Sequence, residues 1–389
     1  MTMLTTTRRQ TSSALFFAKF FYFFYFSAIG ILAPFLNIYL KQIGLTGSQI
    51  GLLGSFPPLL VLLANPFWGA IADRWKAQRL VLILGALVGA LVSPLFLWTH
   101  NFWLLSLLLL VLVFFRNPLG SIVDSVVVNQ VVREGSSYGR QRLWGSLGFI
   151  LCSFGLAQVI RLDQLSWIFW LHAAALLGCA FFGFMLPVEK GGERVNLLHG
   201  LKALLRQRSY STFLFAIVLL GTASALTINF LGLYILALGG KESQVGMAYA
   251  ANAIGEIPVM YFGANVAARI ASRKLIAGSL LGFAMVWTVI GTTTSPTVLI
   301  ATTSLIGICF GMSWIAAVDY ANHSAPAGLR ATAQTLVGAA HGGLGWSIGS
   351  LIGGELWDLA GGSILYFVAA LTAILAASIF WWGSKPESN

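Results

Sequence analysis

The chain has 389 residues, 58% of them apolar and only 9% charged, with a mean hydropathy of +0.84. A soluble domain carries roughly a quarter charged residues, so a water-solvated globule is excluded. The formal charge of +11 does not mark a nucleic-acid binder either, because the cations fall between apolar runs instead of clustering in an arm or groove.

A spanning helix needs about 20 mostly apolar residues. Twelve such runs can be drawn, at about 14–40, 46–72, 79–98, 102–132, 142–160, 165–187, 210–238, 243–268, 274–294, 297–321, 329–357 and 361–383. The polar start Met1 to Ser13 contains Arg8 and Arg9, but the run that follows is long enough to span and ends without a small-residue cleavage site, so no removable signal is expected. Pro34, Pro57, Pro58, Pro66, Pro118 and Pro258 lie inside the runs and predict bends, since neighbouring helices and water re-satisfy the freed backbone groups. Cys152, Cys179 and Cys309 each stand alone in apolar sequence and read as small buried hydrophobes.

Lys and Arg set the orientation. Eighteen fall at the termini and in the loops on the amino-terminal side, against three (Lys41, Arg161 and Lys241) on the other, with Lys19 and Arg116 left inside the membrane. The positive-inside rule therefore places both termini in the cytoplasm. One long hydrophilic segment, Glu189 to Tyr210, divides the chain into an amino-terminal six-helix bundle (1–188), a linker (189–209) and a carboxy-terminal six-helix bundle (210–389). The halves echo each other: Glu256 to Lys274 sits where Pro57 to Arg79 sits in the first half, and Asp319 with Gly328 and Arg330 where Asp124 sits with Gly139 and Arg140. The expected fold is an all-α membrane protein of twelve transmembrane helices in two pseudo-symmetric bundles. Repeated bundles with a site between them are the architecture of an alternating-access carrier.

The stretch Pro118 to Phe149 carries the chemistry. It places Asp124 inside one apolar helix and Arg142 at the start of the next. An unpaired charge at the membrane centre costs about 2.5–3.5 kcal/mol by insertion scales, so the two are expected to face a wet cavity within reach of each other. The alternative is a static ion pair pinning the two helices. Arg116 lies two turns before Asp124 on roughly the same face, suited either to a substrate carboxylate or to a structural partner. Glu256, beside Pro258 with no basic neighbour, and His341 in the eleventh run are candidate proton carriers. Each could equally be a satisfied buried group. Asn229 is a candidate cavity wall, Asp319 and His323 read as a gate or loop pairing, and Lys19 is within snorkelling distance of an interface.

Gly69-Ala-Ile-Ala-Asp73-Arg74 with Arg79 resembles the motif between helices two and three of the major facilitator superfamily, with Lys76 where a glycine is common. Gly69 would permit close helix contact, and Asp73, Arg74 and Arg79 would form a latch that breaks as the bundles move. The first helix, Phe23 to Phe35, together with Tyr138-Gly-Arg-Gln-Arg142-Leu-Trp-Gly-Ser, resembles the lactose permease and phenylpropionate permease branch, a group of proton symporters. The resemblance implies that Asp124 and Arg142 hold substrate, that Phe26 and Gly30 line the cavity, and that Phe149 stands where the sugar permeases stack a tryptophan. The His-Glu coupling pair of those permeases has no counterpart in Thr303 to Cys309.

Gly345-Trp-Ser-Ile-Gly349 has the spacing of a hydrolase elbow, but it lies in a helix with glycine at every fourth position, where close packing explains it. No metal-ligand spacing, phosphate loop or nucleotide motif occurs, so neither an enzyme nor a pump driven by ATP is expected, and no cofactor. The expectation is a proton-coupled importer of a small organic solute (a glycoside, nucleoside or aromatic carboxylate) in the inner membrane, working as a monomer. Efflux, facilitated diffusion, and a non-transporting receptor on the same scaffold are the alternatives.

Overall fold

A computed structural model describes residues 3–134, 136–186, 204–267, 269–326 and 329–384. Most of the expected linker at 189–209, with Lys190, Arg194 and Lys202, lies outside the described residues, as do Gly328 and Lys385. The described chain is all helical. Ten segments are long and apolar enough to cross a membrane: α1 (Ala14–Gln42), α2 (Gly47–Arg74), α3 (Gln78–Trp98), α4 (Phe102–Glu134), α5 (Tyr138–Val159), α6 (Trp167–Met185), α7 (Arg208–Ala237), α9 (Ser272–Thr292), α10 (Pro296–Ser324) and α12 (Gly362–Gly383). Two more complete the twelve: α8 (Glu242–Ala267), which carries Pro258, and α11, built of Arg330–Gly338, a π-helical turn Ala339–Gly345, and Trp346–Ala360. The fold is that of an all-α membrane protein with two pseudo-symmetric six-helix halves.

The prolines act unevenly. At Pro34 the helix of α1 stops at Leu32 and resumes as Leu36–Gln42, and α4 breaks at Asn117 before Pro118. Pro57, Pro58 and Pro66, by contrast, sit inside an uninterrupted α2. Proline removes one intrahelical bond and crowds the preceding turn. It ends a segment in α1 and α4, while α2 absorbs three.

By contacts the chain divides into two units, Met1–Gly44 with Leu60–Glu193, and Leu45–Leu59 with Arg194–Asn389. In the first, α1 packs on α5 and α6, and α3 on α4 and α6. In the second, α7 packs on α11 and α12, and α9 on α10 and α12, which repeats the same scheme. Glycine permits the closest crossings. A Cβ on Gly148 of α5 would lie 2.3 Å from the Phe23 carbonyl oxygen of α1, and one on Gly349 of α11 would lie 2.1 Å from that of Thr222 in α7. No other residue fits at such separations.

The first part of α2 clusters with the second unit. There the Asp358 carboxylate accepts the Gly47 and Ser48 amides, both at 2.8 Å, and the Ser48 hydroxyl at 2.9 Å. A side chain 310 residues away thus serves as the amino-terminal cap of α2. Large apolar side chains such as Leu63, Leu91, Val132 and Leu359 are exposed on the outer helix faces, with Trp98, Trp103 and Trp382 at helix ends. That distribution suits a lipid-facing surface with interfacial tryptophans.

Candidate functional site

In the first unit the polar cluster is built from one-turn repeats. Tyr22 and Phe26 are four apart on α1, and Tyr138 and Arg142 four apart on α5, so each pair shares a helix face. The second segment of α4, Pro118–Glu134, supplies Asp124. Asp124 Oδ1 accepts the hydroxyl hydrogens of Tyr22 (2.6 Å) and Tyr138 (2.9 Å). The Arg142 guanidinium lies over the Phe26 ring at 3.8 Å from its centroid and 5.9 Å from that of Tyr22.

This corrects one expectation. Asp124 and Arg142 form no direct ion pair among the described residues; Tyr22 stands between them, hydroxyl on the acid and ring toward the base. The reason is chemical: two phenols satisfy the carboxylate, while Phe26 offers the cation a face worth about 0.5–2 kcal/mol. Among the described residues no acceptor bonds the Arg142 N–H groups; its contacts are the rings of Phe26 and Tyr22. Gly30 is also reassigned. A Cβ there would lie 2.7 Å from the Phe149 carbonyl oxygen, so Gly30 and Phe149 meet backbone to backbone at the crossing of α1 and α5. Gly30 is buried, whereas Phe149 keeps partial exposure.

Arg116 and Asp124 flank the interruption at Asn117, where Pro118 supplies no amide but the backbone keeps helical dihedrals (φ −61°, ψ −39°). The Arg116 guanidinium turns to α6, with Nη1 3.5 Å from His172 Nε2 and Nη2 3.4 Å from Asn117 Oδ1. His172 is fully buried, and its Nδ1 lies 2.5 Å from Ser93 Oγ of α3. Arginine can only donate, so Nε2 of His172 accepts and Nδ1 carries the hydrogen toward Ser93. Tyr25 lies nearby, its hydroxyl 3.5 Å from the Asn117 carbonyl. His172, Ser93, Tyr22 and Tyr25 escape a reading based on charge spacing. One available signal was the imidazole itself, an ionisable group inside an apolar run.

In the second unit Glu256 lies on α8 where that helix crosses α10, its Cγ 3.5 Å from where a Gly311 Cβ would stand, and it is engaged by a partner. His341 occupies the π-helical turn of α11, enclosed by Phe310, Trp314 and Trp346, with Nε2 buried and unbonded. A π-turn of this kind is frequent at functional sites. The Asn229 side chain of α7 donates to Ser350 Oγ of α11 at 2.6 Å. Asp319 accepts from the Ser272 hydroxyl and sits 3.4 Å from His323 Nδ1, near exposed helix ends.

The motif residues stand at the end of α2 and the start of α3. Asp73 and Arg74 are exposed, and a Cβ on Gly69 would meet nothing within 4 Å. Arg79 instead donates to the Leu186 carbonyl from Nε (3.1 Å) and Nη2 (2.8 Å), capping the carboxyl end of α6. Arg273 repeats this in the second unit, meeting Ser384 Oγ (2.9 Å) just past the end of α12 and the Trp381 carbonyl in its last turn. Lys76 takes φ 51°, the left-handed region, which explains why that position of the motif is commonly glycine.

A profile of the MFS_1 like family matches residues 15–380. The chain belongs to this family of the major facilitator superfamily. A maltose permease of Geobacillus stearothermophilus is 28% identical over 355 residues, covering 90% of each chain. A probable 3-phenylpropionic acid transporter of Escherichia coli is 28% identical over 307 residues, covering 76% of this chain and 79% of its own. The structure of the nucleoside transporter NupG superposes with a TM-score of 0.85 at 16% identity over 94% of this chain and 98% of the other, a likeness of fold. These relatives differ in solute, so membership of the superfamily stands while the narrower lactose and phenylpropionate permease assignment does not. The protein is a membrane transporter of small organic solutes and not an enzyme.

Proposed function

We propose that the protein is a proton-coupled secondary carrier that takes up a small organic solute by alternating access. The observation that carries this reading is the pair of guanidinium groups, Arg116 and Arg142, held in an apolar body without a carboxylate in contact among the described residues. Charges are retained inside a membrane protein where they handle a charged or polar passenger. In this account Arg142 offers a planar donor fork, Asp124 accepts hydrogen bonds, and Phe26 with Phe149 supplies an aromatic wall. Asn229 adds a polar contact. Glu256, with His341 in reserve, takes and returns the proton.

Coupling needs protonation and solute to favour the same state, because a ligand shifts an equilibrium only by differential affinity. The bundles are taken as 1–188 and 210–389, with both termini cytoplasmic, in a bacterial inner membrane, functional as a monomer, and with Asp73, Arg74 and Arg79 near the moving ends. The aromatic acid and sugar named for the relatives mark the range of solutes to test. A thermal-shift screen of sugars, nucleosides and aromatic acids on purified protein identifies the ligand, since saturation at 100 times Kd adds about 2.7 kcal/mol of stability. Proteoliposomes should then accumulate that solute down an imposed proton gradient. Uptake indifferent to the gradient rejects symport, and proton-linked flux in the opposite direction makes the protein an exporter.

A further inference from the structure

Among the described residues Arg116 is the one Lys or Arg with a side-chain nitrogen both buried and unbonded. Its Nε is sealed from solvent without an acceptor, and its two terminal nitrogens reach neutral atoms only at 3.4 and 3.5 Å, beyond good hydrogen-bond length. Among the described residues no carboxylate contacts it, and Asp124 accepts instead from Tyr22 and Tyr138. Removing a guanidinium from water without a counter-charge is unfavourable, and the fold retains it nonetheless.

From this geometry we infer that Arg116 is the receptor for an anionic group of the transported solute, a carboxylate, and that His172 and Ser93 are the residues that position it. The inference rests on the carrier reading and names the solute class: a small organic monoanion. Arg116, Asp124 and Arg142 together carry one net positive charge, which one carboxylate cancels. A carboxylate matches the planar donor fork of arginine in bidentate fashion. His172 turns Nε2 toward the guanidinium at 3.5 Å, and Ser93 engages Nδ1 on the far side of the ring. Asn117 Oδ1 lies 3.4 Å away on the other side, and the Tyr25 ring stands edge-on to Phe26. Sequence spacing left a substrate carboxylate and a structural partner equally open for Arg116, and did not show its neighbours, His172 of α6 and Asn117 of α4.

The test pairs carboxylates with their uncharged isosteres on the purified full-length protein: phenylpropionate with phenylpropionamide, benzoate with benzamide, hexanoate with hexanamide, alongside inorganic phosphate, maltose and uridine. The carboxylates should bind at least tenfold more tightly than their amides, with phosphate giving no shift. Arg116→Gln should abolish that preference while leaving any residual amide binding. His172→Gln, which keeps a side-chain acceptor for Arg116, should retain carboxylate affinity within about threefold, whereas His172→Leu loses it; a purely structural histidine would lower melting temperature in both without touching the ratio. The carboxylate–amide comparison is made on the wild-type protein, so it decides even where a variant does not fold. Equal binding of acid and amide overturns the anion site, as does a shift with phosphate alone. If maltose or uridine binds and exchanges while carboxylates do not, the anion site falls and the carrier stands. If no solute binds or exchanges, both fall.

Discussion

Asp124 is held by two phenol hydroxyls and does not touch the arginine that its spacing suggested as a partner. That difference has consequences for mutation. Asn at position 124 still offers a carbonyl oxygen to Tyr22 and Tyr138, whereas Ala leaves two hydroxyls with no acceptor, at about 1–3 kcal/mol for each buried group left unmade. Asp124→Asn should therefore melt within a few degrees of the wild type, and Asp124→Ala should melt well below both, measured by thermal denaturation in detergent. A direct ion pair with Arg142 would instead make both variants about equally costly, because each strands the arginine. At this scale the sequence was partly legible. An acid, two arginines and an aromatic pair stood out because charge is rare in apolar runs. Their actual contacts did not, because Tyr22, Ser93 and His172 reach them from helices far away in the chain.

At the scale of the helix, the repeated arginine caps show how the two halves use one device. Arg79 at the start of α3 closes the end of α6, and Arg273 at the start of α9 closes the end of α12. The sequence echo pointed to this correspondence but assigned Arg79 to a latch with Asp73. The carbonyl groups left over at a helix end are the stronger attraction for a guanidinium that can fork onto one oxygen. Between α2 and α3, Lys76 holds a left-handed backbone that costs a side-chain-bearing residue about 1–2 kcal/mol. Lys76→Gly should accordingly stabilise the protein by about 1 kcal/mol, read as a higher melting temperature; an unchanged or lower value would show that the lysine makes contacts worth more than the backbone relief. The prolines teach the same lesson from the other side. Pro34 and Pro118 end helical segments, while three prolines pass through α2, and composition alone does not distinguish the cases.

At the scale of the whole molecule, the proposed coupling predicts a specific split of activities. Glu256→Gln keeps the size and hydrogen bonding of the side chain but cannot exchange a proton. It should preserve solute exchange across the membrane at equal concentrations while abolishing accumulation driven by a proton gradient, both measured in proteoliposomes. Gradient-driven accumulation that survives the substitution would remove Glu256 from the coupling step and leave His341, enclosed by Phe310, Trp314 and Trp346, as the next group to test. What the amino-acid sequence determined by itself is the solvent, the helix count, the doubling of the bundle and the short list of internal charges. Those follow from local quantities: the length of apolar runs, the asymmetry of Lys and Arg, and the cost of a charge in hydrocarbon. Only the tertiary structure decided which charges meet, that α2 begins under a cap from Asp358, and that Arg116 faces histidine instead of an acid. Those contacts join residues from 56 to 311 positions apart, and no one-dimensional period encodes a distance set by how separate helices pack.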